Sequence, residues 1–149
     1  MADIRVYRAE PADLPAILPL VREFCAEDGH EFDEARITRA LVPLLGGDEH
    51  GQVWLAGVGA EAGAGYAVVT WGWSLESGGR EALLDEIYVR ERGNGTGAHL
   101  LRRVVVAAAE AGAGVMFLET EAHNERVRGF YARHGFAAED SVWMSRALH

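Results

Sequence analysis

Arg92-Gly93-Asn94-Gly95-Thr96-Gly97 joins a segment that ends in Leu84-Asp85-Glu86-Ile87-Tyr88-Val89 to one in which Leu100, Leu101, Val104 and Val105 recur at helical spacing. The first side reads as a strand and the second as a helix, so the glycines occupy a strand-to-helix turn. Glycine reaches left-handed dihedrals without steric cost and lets backbone approach a ligand closely. The free N–H groups of a helix start carry partial positive charge, so such a turn suits a phosphate. Arg90, Arg92, Arg102 and Arg103 add basic residues around it. Geometry alone would also account for the glycines. A third reading is a dinucleotide site: Gly93, Gly95 and Ala98 satisfy G-x-G-x-x-G/A, and Glu119 or Glu121 follows about twenty residues on.

Working outward decides against the dinucleotide reading. Ile4 to Arg8 alternates as a first strand, and Pro11-Ala12-Asp13 opens an amphipathic stretch that carries Leu14, Ile17, Leu18, Val21, Phe24 and Cys25 on one face. Asp33 caps a second helix bearing Ile37, Leu41 and Leu44, which ends at Gly46 and Gly47. Gln52 to Val58, Gly65 to Leu75 and Arg80 to Val89 are rich in Val, Trp and Tyr and form a meander. After the glycine turn come a helix over His99 to Ala111, a strand over Val115 to Thr120, a helix over Asn124 to His134 closed by Gly135, and an extended region over Phe136 to Leu148. A doubly wound nucleotide fold needs alternating strands and helices, not a meander ahead of the turn. Asp85 and Glu86 also stand where a buried parallel strand should be apolar. The expected fold is α/β of the α+β kind: a mixed, mostly antiparallel sheet of six to seven strands with helices on both faces, as one domain over 1–149.

Composition narrows the function. A formal net charge of -9 disfavours binding to nucleic acid, which rests on neutralising phosphates with basic surface. All fourteen basic residues are Arg, so a Walker phosphate loop is excluded for want of its lysine. Cys25 is the only cysteine; it allows no internal disulfide and no cysteine cluster, and it reads as a small core residue. No metal site is evident. No run is long and apolar enough for a membrane span, and the N-terminal residues lack the pattern of a signal peptide, so no membrane association and a cytoplasmic location are expected.

Two motifs in order carry a resemblance. Arg92 to Gly97 fits Arg/Gln-x-x-Gly-x-Gly/Ala, and Asn124 followed by Phe130-Tyr131 and Gly135-Phe136 forms a second signature. Together they resemble the GNAT acetyltransferase superfamily, and the order of elements is similar over essentially the whole chain. The connection Val89-Arg90-Glu91-Arg92 departs from the family by being shorter and lacking its usual proline.

The resemblance implies transfer of an acetyl group from acetyl-CoA to an amine, by direct transfer in a ternary complex, in a homodimeric protein. It implies that backbone N–H groups of Arg92, Gly93, Asn94, Gly95, Thr96, Gly97 and Ala98 meet the coenzyme pyrophosphate. Ile87, Tyr88 and Val89 would line the pantetheine arm, and Asn124 and Tyr131 would also contact the coenzyme; Asn124 stands equally where it can cap its helix, and the two roles are compatible. Tyr131 is the implied general acid for the departing thiolate. For the base, a regular strand would send Asp85 and Glu86 to opposite faces; Asp85 matches a carboxylate that some polyamine-acetylating relatives hold near the amine, with Glu86 and water as alternatives. His123 and His134 are read as caps or surface groups. Glu23, Glu27, Asp28, Glu31, Asp33 and Glu34, with Trp71 and Trp73 on one strand face, suit either a small cationic acceptor or a solvated acidic helix face above two core tryptophans. The alternative is an acyl-CoA-binding sensor or interaction domain with little activity.

Overall fold

The computed structural model describes residues 3–149, which form two compact units divided between Leu118 and Glu119. In the first, five strands lie side by side in chain order: β1 (Ile4–Arg8), β2 (Gly51–Val58), β3 (Glu61–Ser74), β4 (Gly79–Val89) and β5 (Met116–Phe117). Neighbours from β1 to β4 run antiparallel, and β5 runs parallel to β4. Antiparallel neighbours need only short turns, whereas a parallel pair needs a crossover. That crossover is α3 (Thr96–Glu110), and α1 (Leu14–Asp28) and α2 (Glu34–Leu45) occupy the long connection from β1 to β2.

Strand alternation assigns the helices to opposite faces. Val53 and Leu55 of β2 and Tyr66 and Val68 of β3 pack with Ile17, Leu20 and Val21 of α1 and with Leu41 and Leu44 of α2. Val69, one residue on, turns the other way and packs with Ala82 and with Ala108 of α3. Ile17, Leu20, Leu55 and Val53 are wholly buried, and each such side chain is worth about 1.5–3 kcal/mol. Cys25 belongs to the α1 core, where burial raises its thiol above the usual range.

The helix ends follow the expected capping chemistry. The Asp33 carboxylate accepts from the Arg36 N–H at 3.2 Å, and the Asn124 side chain accepts from the Val127 N–H at 3.2 Å at the start of α4 (Glu125–Arg133). Gly65 allows a close approach: a Cβ there would lie 2.6 Å from the Tyr88 carbonyl and 3.3 Å from Leu100 Cδ1, so the end of β4 closes onto β3 only because the side chain is absent.

The mixed, mostly antiparallel sheet is as expected, but it has five strands, not six or seven. β5 is two residues long, and no strand forms after Phe136. Val142, Trp143, Met144 and Leu148 are exposed; extended preference makes a strand only where a neighbouring strand satisfies its backbone groups. β3 begins at Glu61, earlier than its composition implies, because hairpin pairing of Val58 with Glu61 outweighs the low strand preference of Gly and Ala. α3 also starts three residues early: Gly95 is its N-cap, so Thr96, Gly97 and Ala98 form its first turn.

Candidate active site

β4 is irregular where it carries its carboxylates. Leu84 pairs with Val69 and Glu86 with Val68, which leaves Asp85 unmatched and makes a bulge. The extra residue cancels the simple alternation that would place Asp85 and Glu86 on opposite faces. Glu86 falls in register on the face of Val68 and Tyr66, toward α1. Its Oε1 accepts a hydrogen bond from the Tyr66 hydroxyl at 2.7 Å, and Tyr66 itself is wholly buried.

Both carboxyls have raised proton affinity. Burial is the largest cause for Glu86, with the Asp85 charge adding to it and the Tyr66 hydrogen bond opposing it. Burial alone raises Asp85, although that residue still reaches solvent; the bulge partly dehydrates its carboxyl without enclosing it. Tyr66 was not anticipated from sequence. The available signal was a tyrosine within an apolar strand, whose hydroxyl must find a partner once buried.

Beyond the bulge, the outer edge of β4 is unpaired. β5 meets β4 only at Ala82–Met116 and Leu83–Phe117, so no strand bonds Ile87, Tyr88 or Val89 on that side among the described residues. Alternate N–H and C=O groups along this length project from the edge.

The edge leads into the glycine-rich turn. Gly93 and Gly95 have φ of 85° and 87°, a left-handed conformation that other residues adopt at a cost. Open space lies beside Gly93, where an added Cβ would meet nothing within 4 Å. Gly95 is the N-cap of α3, with no side chain capping the helix; the N–H groups of Gly97 and Ala98 precede the first intrahelical bond, from His99 to Gly95. Thr96 differs from its neighbours, since the Asn94 side chain accepts from its N–H at 3.2 Å and its hydroxyl at 2.8 Å. A left-handed turn, open space and uncapped donors fit a pyrophosphate; Asn94 and Thr96 brace the turn.

Not every nearby arginine is available to an anion. Arg90 holds Glu23 at 2.7 Å and Glu61 at 3.1 Å and donates to the Gly63 carbonyl at 2.9 Å. Tyr88 donates to the same Glu23 carboxylate at 3.1 Å, and burial together with Glu23 pushes its phenol up to about 12. The Arg90 hydrogen bonds in turn hold the Glu23 carboxyl below the usual range. Arg92 approaches Glu27 more loosely, at 3.8 Å.

In the second unit, Tyr131 on α4 lies between Phe130 and Phe136, with ring centroids at 5.3 and 5.8 Å. Burial raises its phenol above the usual value, so it holds its proton at neutral pH. Asn124 serves as the N-cap. His134 bonds to the Phe130 carbonyl at 2.9 Å, and His123 pairs with Glu121 at 2.9 Å.

These features coincide with a family match. The model of the acetyltransferase (GNAT) family matches residues 16–136. The chain belongs to the GNAT family. It is therefore an N-acetyltransferase, of a family that uses acetyl-CoA as co-substrate. Among solved structures it is similar to an integron cassette protein, HFX_CASS3, from the mobile metagenome of Cole Harbour Salt Marsh. The two are 33% identical over 97% of this chain and 90% of the other, with a TM-score of 0.86. The fold is shared with an aminoglycoside acetyltransferase, meta-AAC0020, from an uncultured soil sample (19% identity, 98% and 97% coverage, TM-score 0.80). A ribosomal-protein-alanine N-acetyltransferase from Brucella melitensis biovar Abortus 2308 shares it too (21% identity, 97% and 100% coverage, TM-score 0.72). No curated protein matches the chain.

The GNAT fold distributes the acidic and aromatic residues differently from the sequence expectation. Trp71 packs on the α3 face with Val69 and Ala82, across the sheet from α1; it donates to the Asp48 carbonyl at 2.8 Å and receives the Arg80 guanidinium at 5.2 Å. Trp73 is 77% exposed. Glu23, Glu27 and Asp33 are already engaged by Arg90, Arg92 and a helix N-terminus. A concavity of about 330 Å³ lies along α1 between Leu18, Arg22, Glu23, Phe32 and Glu34, and Arg22 covers the Phe32 ring at 4.6 Å. No helix of the described residues is long and apolar enough to cross a membrane.

Proposed function

We propose that this GNAT protein acetylates a small primary amine, cationic in solution, by direct transfer within a ternary complex, and that Glu86 is the base. The observation that carries the reading is the bulge in β4, where two carboxyls of raised proton affinity sit on the strand that leads into an uncapped, glycine-rich helix start.

Acetyl-CoA supplies the acetyl group as an activated thioester. Backbone N–H groups of Arg92, Gly93, Asn94, Gly95, Gly97 and Ala98 hold its pyrophosphate, with Thr96 and Asn94 bracing the turn and Asn124 a further contact. Ile87, Tyr88 and Val89 line the pantetheine arm, and main-chain N–H groups of this edge offer donors to the carbonyl oxygen. Glu86 Oε1 is engaged by Tyr66, which leaves Oε2 to take a proton from the amine. Asp85 raises the affinity of Glu86 for that proton and helps to hold an ammonium before it is deprotonated. Tyr131 returns a proton to the departing thiolate. The family match runs across the division between Leu118 and Glu119, which supports one acetyltransferase domain over 1–149. A homodimer in the cytoplasm completes the proposal on family resemblance.

Initial rates with acetyl-CoA and a panel of polyamines, basic amino acids and uncharged amines test it. Cationic amines should react faster, with intersecting double-reciprocal lines. Parallel lines would contradict direct transfer, and indifference to acceptor charge would contradict the role given to Asp85. Tyr131→Phe should lower kcat about a hundredfold, the low end of the range for a lost general acid, with little change in the Kd for acetyl-CoA.

A further inference from the structure

We infer that Tyr66 is a positioning residue for catalysis, which holds the Glu86 carboxylate in one orientation and keeps it ionised as the acceptor enters. The inference rests on the reading of Glu86 as the base. Tyr66 is wholly buried, and its ring is fixed by Phe24 and Tyr88 at centroid distances of 6.4 and 6.3 Å. A ring so enclosed brings its hydroxyl to one place, 2.7 Å from Glu86 Oε1. The hairpin makes the pairing possible: Tyr66 faces Tyr88 across β3 and β4, and Val68 faces Glu86, so tyrosine and glutamate are diagonal neighbours on one face.

The groups around Glu86 pull in both directions. Asp85 on its own strand and Asp28 of α1 favour the protonated carboxyl, as does burial, whereas Tyr66 and the His30 imidazole favour the charged one. Cys25 of α1 also senses the Glu86 charge, and its own raised thiol stays neutral. Tyr66 is the nearest of the stabilising groups and the only one that bonds the carboxylate directly among the described residues. Without its hydroxyl, Glu86 loses that bond and holds its proton more tightly.

Tyr66→Phe keeps the ring and deletes the bond. Carboxyl-carbon NMR of labelled glutamate, assigned with Glu86→Gln, should show the Glu86 titration midpoint rising by about one pH unit, the size expected for a lost hydrogen bond to a charged group. The acid limb of kcat/KM, measured with the best amine of the panel above, should rise by the same amount. In a Glu86→Gln background, Tyr66→Phe should have no further effect on kcat. An unchanged NMR midpoint, or an equal loss of kcat in both backgrounds, overturns the positioning role. A midpoint that moves while the rate profile stays still overturns Glu86 as base and leaves the Tyr66 bond intact.

Discussion

The glycine-rich turn at residues 92–97 and the carboxylate bulge at residues 85–86 lie at two ends of one connection and are built in opposite ways. The turn is local: its glycine dihedrals, its uncapped helix start and the Asn94–Thr96 brace all arise within a few residues. The bulge depends on distant parts of the chain. Glu86 is held by Tyr66, 20 residues away, and the same strand is tied to α1 by Arg90 and Glu23, 67 residues apart. Anion binding needs only backbone donors, which any sequence with the right dihedrals supplies, whereas tuning a base needs particular side chains brought together by the fold.

The largest expected effect lies at the bulge. Glu86→Gln should reduce kcat about a hundredfold, within the range for loss of a general base, and leave acetyl-CoA affinity near its original value. It should also stabilise the protein at neutral pH. Burial raises native Glu86 above its unfolded value of about 4.3, so the folded state binds the proton more tightly, and stability falls as pH rises through this window. Denaturant midpoints at pH 4 and pH 7 would show it: the variant should gain at pH 7 and lose that gain at pH 4. Full activity in Glu86→Gln would transfer the base to Asp85 or to water.

A smaller effect, of the opposite kind, belongs to the turn. Gly95→Val forces a branched residue into φ of 87° at about 1–2 kcal/mol; the free turn relaxes out of this conformation and must regain it on binding, so acetyl-CoA should bind about tenfold more weakly while kcat at saturation stays close to wild type. A loss of kcat equal to the loss of affinity would show that the two regions are not separable.

The smallest effect is structural. Arg90 and Glu23 are about a third exposed, and a double-mutant cycle with Arg90→Gln and Glu23→Gln should give a coupling of about 1 kcal/mol or less. Because Glu23 is held below its unfolded value, that coupling is full above about pH 4.3 and is lost as pH falls through the native value. Urea titrations at pH 3 and pH 7 would measure the difference.

The same contrast explains what was legible in the sequence. The strand-turn-helix order, the Asp33 and Asn124 caps and the core position of Cys25 follow from periodicity and local hydrogen bonding, and all are present. The bulge was invisible because Asp85 becomes supernumerary only against Val68 and Val69 of β3. Arg90 reads as a free cation until α1 brings Glu23 to it. Trp71 and the acidic residues of α1 look like one site in the chain, yet the sheet places them on opposite faces. Phe136, Val142 and Trp143 favour extended backbone, but among the described residues no strand forms in the segment that carries them.

The most direct test of the central claim is to incubate the purified protein with acetyl-CoA and the amine panel, following released thiol and acetylated amine together by mass spectrometry. Acceptor-dependent product, lost in Glu86→Gln while acetyl-CoA still binds, is the predicted result. Tight coenzyme binding with no product from any amine would contradict it and favour a protein that senses acyl-CoA.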